Sequence, residues 1–339
     1  MRHLSATVPI SVVHGFLARA DRSAIGRLAG RSGISHNLLA QPAARVTQEQ
    51  FATLYRLLAL ELDDEMPGIF ARPLRKGTLK FLCLSLLDAP NLEVALHRFG
   101  QFFHLILDEF QILSRREEAH AVVEIVPNPD GPDASPLARE LMLKLVHGVA
   151  SWLIHEKIPL VEAAFNFPRT AQSGDLLNLF PGPVRFERDG TRLIFDSAYL
   201  NSAYLNLPIR QRKADLTVFL KRAPEDWIFV SFTEEMVCHQ VRQCIAAGLP
   251  AVPTVDAVAE KLHYSVRTLC RRLEGEGTSF QAIKDEVRRD ISIQRLTRSD
   301  DAIASIAYDV GFDNPTAFHR AFRHWTGSTP GAYRETRSG

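Results

Sequence analysis

A chain of 339 residues is long enough for two domains rather than one. With 46% hydrophobic and 23% charged residues it has the make-up of an ordinary water-soluble globular protein, which excludes fibrous, low-complexity and disordered classes. The 40 basic and 39 acidic residues leave a net charge of +1, so bulk charge argues neither for nor against a nucleic-acid partner and only local clustering can.

The 4 cysteines, Cys83, Cys238, Cys244 and Cys270, form no C-x-x-C pair and fit no zinc template. They read as free thiols in a reducing compartment, and no metal is expected. The amino terminus, MRHLSATVPISVVHGFLARA, weakly mimics a signal peptide, but Pro9 and His14 interrupt its apolar run. No stretch approaches the ~18 apolar residues of a membrane span; LKFLCLSLL, Leu79 to Leu87, is too short. A cytoplasmic protein without a membrane partner is expected.

Residues 1 to about 107 read as mainly helical. Thr47-x-x-Gln50 is a capping box, followed by Phe51, Leu54, Tyr55, Leu58 and Leu62 at helical spacing. RLAGRSGISHNLLAQP (Arg27 to Pro42) faintly echoes a helix-turn-helix, but it lacks a basic outward face and is read as a small helical corner. FQILSRRE from Phe110 and the following AHAVVEIV are strand-like and close enough for a hairpin. NPDGPDAS is a loop, and PLARELMLKLVHGVASWLIHEK is a long helix with Pro136 at its start. VEAAFNF is a strand ended by Pro168, and VRFERDGTRLIF is two short strands around Asp189-Gly190, a favoured hairpin turn. Residues 1–207 are thus expected to form an α+β domain.

Residues 208–230, broken by Pro208 and Pro224, read as a partly helical linker. From 231 the chain is expected to be all helix. Ser231-x-x-Glu234 caps a helix carrying Met236, Val237, Val241 and Ile245, which stops at Gly248 and Pro250.

Two helix-turn-helix units follow, expected at 254–275 and 302–326. In the first, Thr254 is an N-cap and Val255, Val258, Ala259 and Leu262 make a buried stripe. The chain turns at His263-Tyr264, and Ser265 caps a helix whose inward residues are Val266, Leu269 and Leu273. Arg267, Cys270, Arg271 and Glu274 remain outward at i, i+3, i+4 and i+7. In the second, Ile303, Ile306, Ala307 and Val310 bury one helix, and Gly311 supplies the positive φ of the turn. Asn314 caps the next, and Pro315 is preset for its first position. Phe318, Ala321, Phe322 and Trp325 form the core stripe, leaving Thr316, His319, Arg320 and Arg323 outward. The matching arginines are 320 − 271 = 49 residues apart. Between them Thr278-x-x-Gln281 caps a connecting helix from about 279 to 296, roughly 27 Å long. Two reading helices on such a strut can enter successive major grooves, which recur every ~34 Å.

HYSVRTLCRRLEGEGTSF, followed by VGFDNPTAFHRAFRHWTGSTPGAYR, resembles the carboxy-terminal domain of the AraC/XylS family of transcriptional regulators over about 100 residues. The first 200 residues more loosely resemble the ligand-sensing, arabinose-binding-type domain of one branch, and the whole chain is most similar to the ornithine-utilisation regulators. The resemblance implies base contacts from Arg267, Cys270, Arg271, Thr316, His319 and Arg320. Ser265, Arg272, Asn314 and Arg323 suit phosphates. It implies an amino-terminal domain that takes a small effector, with ornithine or a related amino acid suggested, and a second copy of the chain. Promoter DNA and RNA polymerase are the macromolecular partners, and activation of amino-acid catabolic genes is the expected function. The alternative is an effector-independent DNA-binding regulator whose first domain only dimerises.

Three departures from the family pattern carry expectations. His263 replaces a common glycine and must tolerate positive φ. Ala302-x-x-Ser305 replaces the usual cap, so Asp300 or Asp301 is expected to cap instead. Cys270 is a poor hydrogen-bonding group at a base-reading position. No G-x-S-x-G, H-E-x-x-H or phosphate loop is present, so neither an enzyme nor a cofactor is expected.

Overall fold

The computed structural model describes residues 7–18, 20–117, 120–168, 180–195, 208–229, 237–276 and 278–335. Ser231, Glu234 and Met236, expected at the start of a helix, lie outside them. The chain forms two compact units that do not follow chain order. One holds the described residues of 1–14, 21–54 and 234–339; the other holds those of 15–20 and 55–233.

The second unit is built on a five-stranded sheet. Its strands are β3 (Phe110–Arg116), β4 (Ala121–Pro127), β5 (Leu160–Ala164), β6 (Val184–Arg185) and β7 (Thr191–Phe195), ordered β3-β4-β7-β5-β6. β3 and β4 form the expected antiparallel hairpin, with Ile112 opposite Ile125. The hairpin expected around Asp189-Gly190 does not form. β7 is already paired on both edges, with β4 and β5, so β6 takes the free edge of β5 and runs parallel to it.

Helices cover this sheet: α5 (Thr78–Leu86), α6 (Leu92–His104) and α7 (Pro136–Ile154), with α8 (Lys213–Arg222) and α9 (Glu225–Ile228). α7 starts as expected, with Pro136 in its first turn and Ser135 accepting from the backbone N–H of Ala138 at 3.1 Å. It is buried almost all round. Gly148 is where α9 comes closest: a Cβ there would lie 2.5 Å from the Trp227 carbonyl oxygen, so only glycine permits this approach. Residues 213–228, read from sequence as a linker, are part of this core through Leu216, Phe219, Trp227 and Ile228.

The first unit combines amino-terminal pieces with the helical carboxy-terminal region. β1 (Val8–Pro9) pairs with β2 (Arg45–Val46). Around them lie α1 (Ile10–Leu17), α2 (Arg22–Arg31), α3 (His36–Leu39) and the start of α4 (Gln48–Leu62). The Arg27–Pro42 segment is a helical corner closed by Ser35 as N-cap of a helix only 4 residues long. The Thr47–Gln50 capping box forms reciprocally, at 2.9 and 3.1 Å.

Polar contacts tie these pieces to the carboxy-terminal helices. Buried Arg45 donates from Nε to Thr7 Oγ1 at 2.7 Å, and Thr7 Oγ1 donates to Asp290 Oδ1 at 2.7 Å. The Arg45 backbone N–H donates to Tyr333 Oη at 2.9 Å, and Arg298 pairs with Glu49 at 2.6 Å.

Candidate nucleic-acid interface

From residue 237 the described chain is all helix: α10 (Val237–Gly248), α11 (Val255–Lys261), α12 (Val266–Gly275), α13 (Phe280–Arg298), α14 (Ile303–Asp309), α15 (Pro315–Thr326) and α16 (Pro330–Glu335). α11–α12 and α14–α15 are the two helix-turn-helix units, and α13 joins them.

Local chemistry sets each turn of the first unit. Thr254 caps α11 through the Ala257 N–H at 3.2 Å, and Ser265 caps α12 through the Thr268 N–H at 3.1 Å. His263 adopts φ 59, so the left-handed turn is kept without glycine. Val258, Ala259, Leu269 and Leu273 then join Val241 and Ile245 of α10 and Ile283 and Val287 of α13 in one core. Glu276 accepts from the backbone N–H groups of Val237 and Cys238, at 3.1 and 2.8 Å, and so caps α10 from the end of α12.

The second unit has Gly311 at φ 80, where a Cβ would meet Val252 Cγ2 at 2.5 Å and Pro250 O at 2.7 Å. Asn314 Oδ1 accepts from the Ala317 N–H at 2.8 Å. Phe318 and Phe322 are fully buried and Trp325 partly. Phe312 packs edge-on against Phe318 at 5.6 Å, and Phe322 against Tyr333 at 5.1 Å. The aromatic residues are therefore structural.

Two caps differ from expectation. α13 begins at Ser279, whose hydroxyl accepts from the Ala282 N–H at 3.2 Å, not at Thr278. α14 has Ala302 at its N-cap and no side-chain cap. The Asp301 carboxylate instead accepts from Arg295 at 2.7 Å and from Ser299 at 2.7 Å, which turns it away from the helix end.

The expected site residues fall on two outward faces. Arg267 and Arg271 are exposed on α12, with Cys270 half-buried between them. Thr316, His319, Arg320 and Arg323 are exposed on α15. The Ser265 and Asn314 side chains are engaged as caps. Arg272 lies with its guanidinium 4.6 Å above the Tyr264 ring and donates to the Tyr264 oxygen at 3.0 Å, so it is held in one orientation.

Sequence reading missed Arg288. This buried side chain of α13 donates from Nε to Val310 O at 2.8 Å and from Nη2 to Gly311 O, and stacks 3.8 Å from the Phe312 ring centroid. It fixes the second turn to the connecting helix. On sequence it is one of several arginines in a polar helix, and nothing local sets it apart.

Two sets of arginines on these helices contrast. Arg242, Arg288, Arg295 and Arg298 are tied to carboxylates or carbonyls. Arg267, Arg271, Arg320 and Arg323 make no hydrogen bond or ion pair among the described residues. They stand in solvent on two helices of matching design, an arrangement suited to phosphates and guanine edges. No three His, Cys, Asp or Glu side chains among the described residues are grouped to hold a metal. No described helix is long and apolar enough to cross a membrane.

Fold and site define a transcription regulator with an α+β domain and paired helix-turn-helix units. Sequence comparison narrows the class: the family described as the arabinose-binding domain of AraC transcription regulator, N-term, matches residues 23–203, and a helix-turn-helix domain matches residues 258–336. The chain belongs to the AraC family of transcription regulators, in the branch with an arabinose-binding-type amino-terminal domain. It is 24% identical over 331 residues to the ornithine utilization regulator of Pseudomonas aeruginosa, across 97% of this chain and 96% of that one. It is 32% identical over 81 residues to the regulator VirS of Mycobacterium tuberculosis, 24% of each chain. Among solved structures, the regulator CdpR of Pseudomonas aeruginosa is 25% identical, covering 75% of this chain and 81% of that chain, with a TM-score of 0.28. The relatives are regulators, in keeping with a chain that carries no catalytic motif.

Proposed function

We propose that the protein is a cytoplasmic, effector-responsive activator of amino-acid catabolic genes of the ornithine or arginine type. α12 and α15 enter successive major grooves of promoter DNA. Arg267, Cys270, Arg271, Thr316, His319 and Arg320 face base edges, with an arginine bidentate to guanine O6 and N7. Cys270 packs on a thymine methyl. Ser265, Arg272, Asn314 and Arg323 hold phosphates, which fixes register without reading sequence. The observation that carries this reading is the set of four arginines on two equivalent outward faces that make no ion pair among the described residues, while arginines of α10 and α13 are engaged with carboxylates or carbonyls of the fold.

Similarity to an ornithine utilization regulator along nearly the full chain supports the amino-acid assignment. Effector binding changes the population of states able to engage DNA or RNA polymerase, a coupling free energy between two sites. A second copy of the chain completes the assembly on DNA. Footprinting of the protein across upstream DNA of its own genome tests the core of this proposal. Protection of two adjacent major-groove segments is expected, and uniform coating of all fragments would overturn it. A thermal-shift panel of amino acids separates it from an effector-independent regulator, since a ligand at a hundred times its dissociation constant adds ~2.7 kcal/mol of stability.

A further inference from the structure

The turn of the first helix-turn-helix carries an aromatic residue, Tyr264, directly before the N-cap of α12. The Tyr264 N–H donates to the Ala259 carbonyl oxygen at 2.8 Å, which closes the turn opened by the left-handed His263. The Tyr264 ring is half-buried against the core that α10, α11, α12 and α13 share. A ring with few torsions, fixed at its base and packed along its side, is a rigid platform.

Arg272 stands about two turns further along α12. Side chains on a helix lean toward its amino terminus, so Arg272 reaches back to meet the ring that Tyr264 sends forward. The guanidinium lies 4.6 Å from the ring centroid, and Nη1 donates to Tyr264 Oη at 3.0 Å. No other described group takes its remaining donors, and the side chain is exposed. An exposed pair of this kind adds little to folding stability, and it costs a long side chain its rotamer freedom. The gain lies in binding: an arginine that is already ordered loses less freedom when its fork closes on an anion. Arg267 and Arg271, on the same helix, stack on no described ring and form no described hydrogen bond. The second helix-turn-helix has no such pair either. Counted from the N-caps Ser265 and Asn314, the places of Tyr264 and Arg272 are taken there by Asp313 and Ala321.

We infer that Tyr264 is a positioning residue for DNA binding: it holds the Arg272 guanidinium in place for a backbone phosphate, so that the first helix-turn-helix carries a pre-ordered anchor that the second lacks. Tyr264 acts through Arg272 and need not touch the DNA. The inference rests on the reading that Arg272 meets a phosphate.

The test is a double-mutant cycle on the full-length chain, read as affinity for a promoter fragment that the protein protects, at two salt concentrations. Arg272→Ala lowers the slope of log affinity against log salt by about one counterion. An unchanged slope overturns the phosphate reading of Arg272 and the inference with it. Tyr264→Leu weakens binding about fivefold, the weight of the rotamer freedom of one arginine, and leaves the salt slope as it was because the charge remains. Tyr264→Phe keeps the ring and deletes the hydrogen bond, and it weakens binding about twofold. In the Arg272→Ala background neither Tyr264 substitution has a further effect, because the side chain that Tyr264 serves is gone. Equal losses in both backgrounds overturn the inference and leave Arg272 on its phosphate, as does wild-type affinity in both Tyr264 variants. Where Tyr264→Leu fails to fold, the Tyr264→Phe arm of the cycle decides alone.

Discussion

The phenol oxygen of Tyr333 accepts the backbone N–H of Arg45 at 2.9 Å, a contact that spans 288 residues of chain. Tyr333 closes the aromatic motif of the second helix-turn-helix and is fully buried against Phe322. Its hydroxyl therefore serves the junction between the amino-terminal pieces and the DNA-binding helices, and its ring serves the core. Tyr333→Phe keeps the ring and strands a buried N–H. The expected loss is about 1–3 kcal/mol of unfolding free energy in urea. A change within experimental error would mean that the amide finds another acceptor.

Asp290 sits at the other end of the same junction. Burial works to raise its carboxyl, but Arg289, Arg45 and Arg242, with the Thr7 hydrogen bond, outweigh burial and hold it below the ordinary carboxylate value. Arg242 is itself shared with Glu286. A folded-state value below the unfolded one means that the stabilisation is complete above the ordinary aspartate value of ~3.9 and is lost as pH falls through the folded value. Asp290→Asn leaves three buried or half-buried guanidinium groups short of a counter-charge, and is expected to cost about 3 kcal/mol at pH 7. The difference between the two proteins should narrow on acidification below pH 4. A gap that stays constant down to pH 2 would show that the charge of Asp290 does not matter.

What could be read in the sequence was local. Thr254, Ser265 and Asn314 announce their caps by side-chain type and position, and Gly311 announces its turn, because these features depend on a few neighbouring residues. The outward faces of α12 and α15 follow from helical spacing alone. Thr278 and Ser279 are both good caps side by side, and periodicity does not set the register to one residue. The cap expected from Asp301 fails because Arg295, from the last turn of α13, takes its carboxylate. The order of β6 and β7 is decided by β5, a strand some twenty residues earlier, so Asp189-Gly190, expected as a hairpin turn, forms only a bend between strands that do not pair. A polar stripe on α7, from Glu140 to Ser151, is visible as E-x-x-x-K-x-x-H-x-x-x-S, yet such a stripe ordinarily marks a solvent face; only the packed structure turns it inward.

Arg288 couples the connecting helix to the second turn, so its removal should act on one half of the DNA site. Arg288→Met keeps much of the packing against Phe312 and deletes both carbonyl hydrogen bonds. A stability loss of about 2 kcal/mol is expected, since hydrogen bonds to a charged group contribute ~1.5–3 kcal/mol. Footprinting should then show weakened protection at the half-site read by α15, with the half-site of α12 retained. Equal weakening of both halves would mean that the two units are not separately positioned.

Arg271 and Arg323 are both exposed and make no hydrogen bond or ion pair among the described residues, yet the proposed function gives them different work. In the proposed complex Arg271, on the outward face of α12, meets base edges, and Arg323, in the last turn of α15, meets the DNA backbone. Arg271→Ala should cost ~1–3 kcal/mol on the natural operator and relax the preference at one base pair, because a bidentate guanine contact discriminates and its loss does not. Arg323→Ala should weaken binding to all sequences alike and lower the slope of log affinity against log salt by about one counterion. Competition titrations against an operator library, repeated at two salt concentrations, read both effects. Uniform loss from Arg271→Ala would reassign that residue to a phosphate, and an unchanged salt slope in Arg323→Ala would remove it from the DNA backbone.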